Sequence, residues 1–110
     1  MTPWYSVRDL EQARAFYVET LRFEEIYRDE GGRWMTLARD GAELAIAEGD
    51  IGEGREEVVA TFDVEDVKAE AERLRSAGVH VGVVVEIPGL IRLLDVFDPD
   101  GNRLQLTEDL

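Results

Sequence analysis

Cysteine is absent from the 110-residue sequence, and histidine occurs once, as His80. Without cysteine there are no disulfides, no thiolate metal sites and no cysteine nucleophile. A Ser-His-Asp triad is equally poorly supplied, because Ser6 and Ser76 lack the context of a nucleophile elbow and only His80 could serve as base. There is no P-loop and no Gly-x-Gly-x-x-Gly following a strand. Positive charge is scarce: Lys and Arg number 12 against 25 Asp and Glu, a formal net charge of −13. A surface of that sign repels a phosphate backbone or an anionic membrane, so neither nucleic acid nor membrane is an expected partner. A neutral or cationic small molecule is not repelled, and acidity also serves solubility. No stretch reaches the apolar length of a membrane span, and Met1-Thr2-Pro3-Trp4-Tyr5-Ser6 lacks the basic and apolar regions of a signal peptide, so a cytoplasmic location is expected.

What is present is a globular balance, 45% hydrophobic and 34% charged, with length for one modest core and not for two ordinary domains. An internal repeat organises it. Val7-Arg8-Asp9-Leu10 resembles Val64-Glu65-Asp66-Val67; each closes a short apolar run and opens an amphipathic stretch. Leu10, Ala13, Phe16, Tyr17 and Leu21 share one helical face in the first half, and Val67, Ala71, Leu74 and Ala77 in the second. Asp9 and Asp66 are suitable N-caps, Gln12 stands where a capping-box partner would, and Gly78 is a natural stop for the second helix. Each half ends alike: Asp40-Gly41 and Asp98-Pro99-Asp100-Gly101-Asn102 are turn signals, each followed by alternating apolar and polar or small residues. Between helix and turn there is room for two strands, at about 23–29 and 33–38, then at about 79–86 and 91–97. Each half therefore reads as strand, helix, and three strands. The expected modules are about 1–48 and 57–110, joined by a Gly- and Glu-rich linker at about 49–56.

Val7-Arg8-Asp9-Leu10 through Phe16-Tyr17 and Leu21, Val64-Glu65-Asp66-Val67, Gly78-Val79 and Asp98-Pro99-Asp100-Gly101-Asn102 occur in the order and spacing of the vicinal oxygen chelate superfamily. The sequence resembles that superfamily, which includes glyoxalase I, extradiol dioxygenases and bleomycin-resistance proteins. The resemblance spans nearly the whole chain. It implies an α+β fold of two tandem βαβββ modules, whose curved mixed sheets enclose a concave cavity with the helices outside. Modules of that family often exchange between chains, so a homodimer is expected.

Alternation assigns faces independently of the resemblance. If Leu44, Ile46, Leu104 and Leu106 pack on the helices, then Glu43, Ala45, Ala47, Arg103, Gln105 and Thr107 occupy the concave faces. If Val7 packs, Thr2, Trp4 and Ser6 are concave, and by the repeat so are Val59, Thr61 and Asp63. Trp34 joins them if Leu37 packs inward, as its expected repeat-mate Phe97 should.

Metal-dependent relatives, the resemblance implies, hold a divalent ion on first- and last-strand positions that correspond here to Thr2, Ala45, Val59 and Gln105. Threonine, valine and alanine cannot replace His or Glu as ligands, and glutamine is a weak neutral one. No metal and no cofactor are therefore expected. His80 reads as a strand-edge residue, and Asp63, Glu86 and Asp95 show no ligand spacing, although Glu86 resembles the acidic residue often found upstream of the final turn in the family. Asp63 would be a general base only if desolvated, and no residue is assigned a catalytic role.

Trp4 and Trp34 are flat and apolar with one donor each, suited to a planar or cationic ligand or equally to filling a small core. Ser6 shares the face of Trp4, and Tyr27, Thr36, Thr61, Asp63, Arg92 and Gln105 are candidates for the few polar contacts that orient a ligand in an apolar pocket. The leading expectation is a metal-free protein of the bleomycin-resistance type that sequesters a drug or metabolite. The alternatives are a metal-dependent lyase, isomerase or dioxygenase with a rearranged site, and a structural or regulatory dimer.

Overall fold

The computed structural model describes residues 2–49 and 59–110. Beyond Gly49 the expected linker lies outside the described residues. The chain forms two compact units, one ending at Val59 and the other spanning Ala60–Leu110.

In the first unit, β1 (Trp4–Val7) leads into α1 (Leu10–Ala15), followed by a π-turn over Phe16–Thr20, then β2 (Glu24–Arg28), β3 (Trp34–Arg39) and β4 (Ala42–Glu48). The helix starts where the Asp9 carboxylate accepts the Gln12 N–H at 3.1 Å. It widens at Phe16, whose carbonyl accepts from the Leu21 N–H five residues on. Tyr17, fully buried there, meets Phe16 and Phe23 edge-to-face at centroid distances of 5.3 and 5.7 Å. No glycine ends this helix, and Arg22 itself takes the left-handed conformation, with φ at 62°. The sheet order is β1-β4-β3-β2, with β1 parallel to β4 and the remaining pairs antiparallel. Asp40 and Gly41, both at positive φ, form the two-residue hairpin between Arg39 and Ala42.

The second unit runs β5 (Ala60–Asp63), α2 (Val67–Ser76), β6 (His80–Val81), β7 (Val85–Ile87), β8 (Ile91–Phe97) and β9 (Arg103–Asp109). Its sheet has the order β5-β9-β8-β6, with β7 also paired to β8. Asp66 caps α2 by accepting from the Ala69 N–H at 3.0 Å. At the other end Val79 N–H donates to the Leu74 carbonyl and Gly78 N–H to Arg75, while Gly78 takes a φ of 83°. Val67, Ala71 and Leu74 are buried, whereas Ala77 is exposed at the cap and adds nothing to the packed face.

Two expectations are corrected here. The single strand at about 79–86 is two, because Gly82–Val84 place one more residue on that side than β8 has opposite. The same insertion interrupts β2, where Glu25 pairs with Leu37 and Tyr27 with Thr36. Phe97 is not the repeat-mate of Leu37. Leu37 pairs with Leu44, but Leu104 pairs with Val96, since the second hairpin closes over five residues instead of two. Val96 is buried; Phe97 is half-buried, stacked on His80 at 4.7 Å.

Each core lies between helix and sheet. Val7, Leu10, Ala13, Tyr17, Met35, Leu37, Leu44 and Ile46 fill the first, and Phe62, Val67, Leu74, Leu94, Val96, Leu104 and Leu106 the second. Each sheet consequently has a helix-packed face and a face turned the other way.

Candidate functional site

The strand registers lay out the second face of the first sheet row by row. One row runs Ser6–Ala47–Trp34, the next Trp4–Ala45–Thr36–Tyr27, and the last Glu43–Ala38–Glu24. Alanine at 45 and 47 leaves room over β4, and Trp4 and Trp34 meet there, with centroids 6.1 Å apart and planes tilted by 43°. The Trp34 indole N–H donates to Thr36 Oγ1 at 3.3 Å. Its backbone N–H donates to Asp29 Oδ1 at 3.1 Å, as does that of Arg33 at 2.9 Å, so the β2–β3 turn fixes where β3 begins. Trp4 is less enclosed and keeps 43% of its surface exposed; Tyr27 keeps 57%. Ser6 is buried. The bulge at Ile26 brings Tyr27 level with Thr36 and turns Arg28 to the helix side, where it donates to Glu11 Oε1 at 2.8 Å.

In the second sheet the corresponding rows are Thr61–Gln105–Asp95 and Asp63–Thr107–Leu93–Val85. Thr107 Oγ1 donates to Asp63 Oδ1 at 2.7 Å, and Gln105 Nε2 to Asp95 Oδ1 at 3.4 Å. Arg103 Nη1 lies 3.8 Å from Asp95 Oδ2. Val85 and Ile87 extend this face with exposed apolar surface.

Arg92 is not brought to either set. It shares the parity of Leu94 and Val96, and donates to Glu86 Oε1 at 2.6 Å and to Glu108 Oε2 at 3.3 Å. Glu108 Oε1 in turn accepts the Val67 N–H at the start of α2, so this group ties helix to sheet. The hydrogen bond from Arg92 holds the Glu86 carboxyl below its ordinary value. Sequence reasoning passed over Glu24, which shares a face with Tyr27 only because of the bulge between them.

A divalent ion does not suit these residues. The first-strand residues level with Ala45 and Gln105 are Trp4 and Thr61, while Thr2 and Val59 lie two positions earlier along their strands. Alanine and tryptophan offer no ligand atom of the required kind, and Thr61 and Gln105 offer only a neutral hydroxyl and a neutral amide oxygen. Among the described residues no three His, Cys, Asp or Glu side chains are grouped to hold an ion. His80 stacks on Phe97 instead.

Among the described residues no helix is long and apolar enough to cross a membrane. No match is found among curated proteins. Solved structures do match along nearly the whole chain. An integron cassette protein from the mobile metagenome of the Halifax Harbour sewage outfall is 27% identical with a TM-score of 0.81, over 98% of this chain and 96% of that one. TnmS3, an antibiotic-binding protein from Streptomyces sp. CB03234, is 30% identical with a TM-score of 0.75, over 100% and 96%. The fosfomycin resistance protein FosX of Listeria monocytogenes, 23% identical over 100% and 92% with a TM-score of 0.80, speaks for the fold alone. The family model for the Glyoxalase/Bleomycin resistance protein/Dioxygenase superfamily matches residues 4–106, and the chain belongs to that superfamily.

Proposed function

We propose that the protein is a metal-free binding member of its superfamily, a cytoplasmic homodimer that sequesters a drug or metabolite on the helix-free face of its first sheet. The observation that carries this reading is Trp4. It is a large aromatic side chain left 43% exposed beside Trp34, on a face floored by alanines, where burial would otherwise be favoured. The Thr36 hydroxyl occupies the Trp34 donor and holds that ring as a fixed wall. Tyr27 bounds the same row from β2; in the second unit Thr61, Asp63 and Gln105 are the candidate polar contacts on the helix-free face of that unit's own sheet. The likeness to an antibiotic-binding protein supports the reading, and the unsuited donor positions favour it over metal-assisted catalysis.

A thermal-shift screen of planar compounds, followed by titration on wild type, Trp4→Phe and Trp4→Ala, tests it. Ligand binding to the native state raises apparent stability. Trp4→Phe keeps an aromatic face and should weaken binding by about 1 kcal/mol. Trp4→Ala should abolish most of the binding while costing well below the roughly 3–5 kcal/mol of a buried aromatic truncation. Severe unfolding with no effect on ligand would place Trp4 in the core. Elemental analysis finding near one tightly bound Zn, Ni, Fe or Mn per chain would replace this reading with an enzymatic one.

A further inference from the structure

The sequence contains the step Asp-Gly at Asp40-Gly41 and again at Asp100-Gly101, and the fold sets the two in opposite circumstances. The carboxyl carbon of an aspartate lies close to the amide nitrogen of the next residue, and a following glycine, having no Cβ, leaves that nitrogen unshielded. Such a step reacts with itself only where carboxyl and nitrogen can swing together. At Asp100-Gly101 they are held apart. The Gly101 N–H donates to the Asp98 carbonyl at 2.9 Å, and the Asp100 N–H donates to Asp98 Oδ1 at 2.9 Å. Asp98 and Asn102 bracket the turn, both buried, and Asn102 binds Asp98 through its backbone N–H and its side-chain amide. Rotating the Asp100–Gly101 peptide breaks this set.

Asp40-Gly41 is instead the whole connection between two strands, closed by the Arg39–Ala42 pair. Both residues are exposed, open space surrounds Gly41, and among the described residues its N–H has no hydrogen-bond acceptor. The Asp40 carboxylate meets Arg39 Nε at 3.4 Å, a surface pair of little holding power. Asp40 also takes a φ of 50°, which an L-residue leaves readily.

We infer that Asp40-Gly41 is a site of spontaneous covalent modification, where aspartate converts to isoaspartate in the folded protein while Asp100-Gly101 stays protected. The Gly41 nitrogen attacks Asp40 Cγ. A Cγ–N bond forms as a Cγ–O bond breaks, and that oxygen leaves as water with the amide proton and the carboxyl proton. Water then adds to the resulting succinimide. Addition at Cγ restores aspartate; addition at the α-carbonyl carbon breaks its bond to nitrogen and leaves the chain running through Cγ. The product is an isomer of the original chain, and water is the sole co-reactant. The new link adds one backbone carbon between Arg39 and Gly41 and frees the former main-chain carboxyl as a carboxylate. A two-residue hairpin has no slack for that carbon, so the Arg39–Ala42 pair opens, and the Ala38–Glu43 end of the ladder with it.

The test ages the folded protein at physiological temperature and neutral pH, then locates isoaspartate by peptide mapping with electron-transfer fragmentation. Isoaspartate should accumulate at position 40 at least about tenfold faster than at position 100, because the second site reacts only after local opening. In concentrated urea the two positions should react at similar rates. Aged wild type should show a second population with a lower urea midpoint, in proportion to its isoaspartate at position 40. Asp40→Gly keeps a residue suited to the turn and removes the reacting carboxyl, so the aged variant should keep its midpoint. Equal rates at the two positions in the folded protein overturn the inference. So does the absence of isoaspartate at position 40 under conditions where the unfolded chain forms it, or an aged Asp40→Gly variant that loses stability as wild type does.

Discussion

Asp98 is 5% exposed in a chain that carries 25 acidic residues, so its burial needs compensation. The turn provides it. Asp98 Oδ1 accepts the backbone N–H groups of Asp100 at 2.9 Å and Asn102 at 2.8 Å, and Oδ2 accepts from Asn102 Nδ2 at 2.9 Å. Gly101, at a φ of 84°, closes the loop, its N–H donating to the Asp98 carbonyl at 2.9 Å. Asp98→Ala removes the carboxylate that accepts from these three donors, two of them on the buried Asn102, and should cost about 3 kcal/mol. Asp98→Asn retains one acceptor oxygen and should cost about half as much. Urea melts at neutral pH check both, and a change confined to the midpoint with constant slope marks a loss of stability alone.

At the scale of elements, α1 is tied to β2 by charge. Arg14 donates to Glu25 Oε1 at 2.6 Å, and this hydrogen bond first, then Arg28, holds the Glu25 carboxyl below its ordinary value of 4.5. A carboxyl so lowered contributes stability above the ordinary value and surrenders it as pH falls from about 4.5 through the lower folded-state value. Glu25→Gln should cost about 0.5–1 kcal/mol at pH 7 and flatten the stability curve over that acidic window, read by urea melts from pH 7 to pH 3. Elements like these were legible in the sequence where their signals are local: Asp caps, the Gly78 stop, the Asp-Gly hairpin and the alternation of β4 and β9 each depend on a few neighbouring residues. The two bulges were not, because an extra residue is defined only by the strand it pairs with. That is why Glu24 was missed, and why a strand drawn at about 79–86 is two. The Phe97 error has the same root, since equating the two Asp-Gly turns ignores the three further residues that the second one spans. Arg92 differs: its parity with Leu94 and Val96 places it on the helix side, and polarity alone was a poor pointer to the site.

For the whole molecule, the decisive quantity is apolar surface left in water. Ile26 and Tyr27 on β2, Val85 and Ile87 on β7, and Val83, Leu90 and Leu110 nearby are each between 45% and 75% exposed. These strands end their sheets, so backbone groups and apolar side chains are exposed along the same edges. A chain of 110 residues buries a limited share of its surface on folding, and covering such edges with a second copy is the common solution among soluble proteins. The net charge of −13 works against it, because two copies repel each other at every distance within the screening length. A dimer held by apolar contacts against like-charge repulsion should therefore tighten as salt is added, whereas one held by ion pairs should loosen. Sedimentation equilibrium at low and high sodium chloride should show two chains of 12.4 kDa associating more strongly at the higher concentration. Val85→Lys/Ile87→Lys replaces exposed side chains and should shift that equilibrium toward monomer with little change in the urea midpoint of the folded chain. A monomer mass at high micromolar concentration and high salt would mean that these edges stay open to water, and that the exposed side chains serve the ligand face instead.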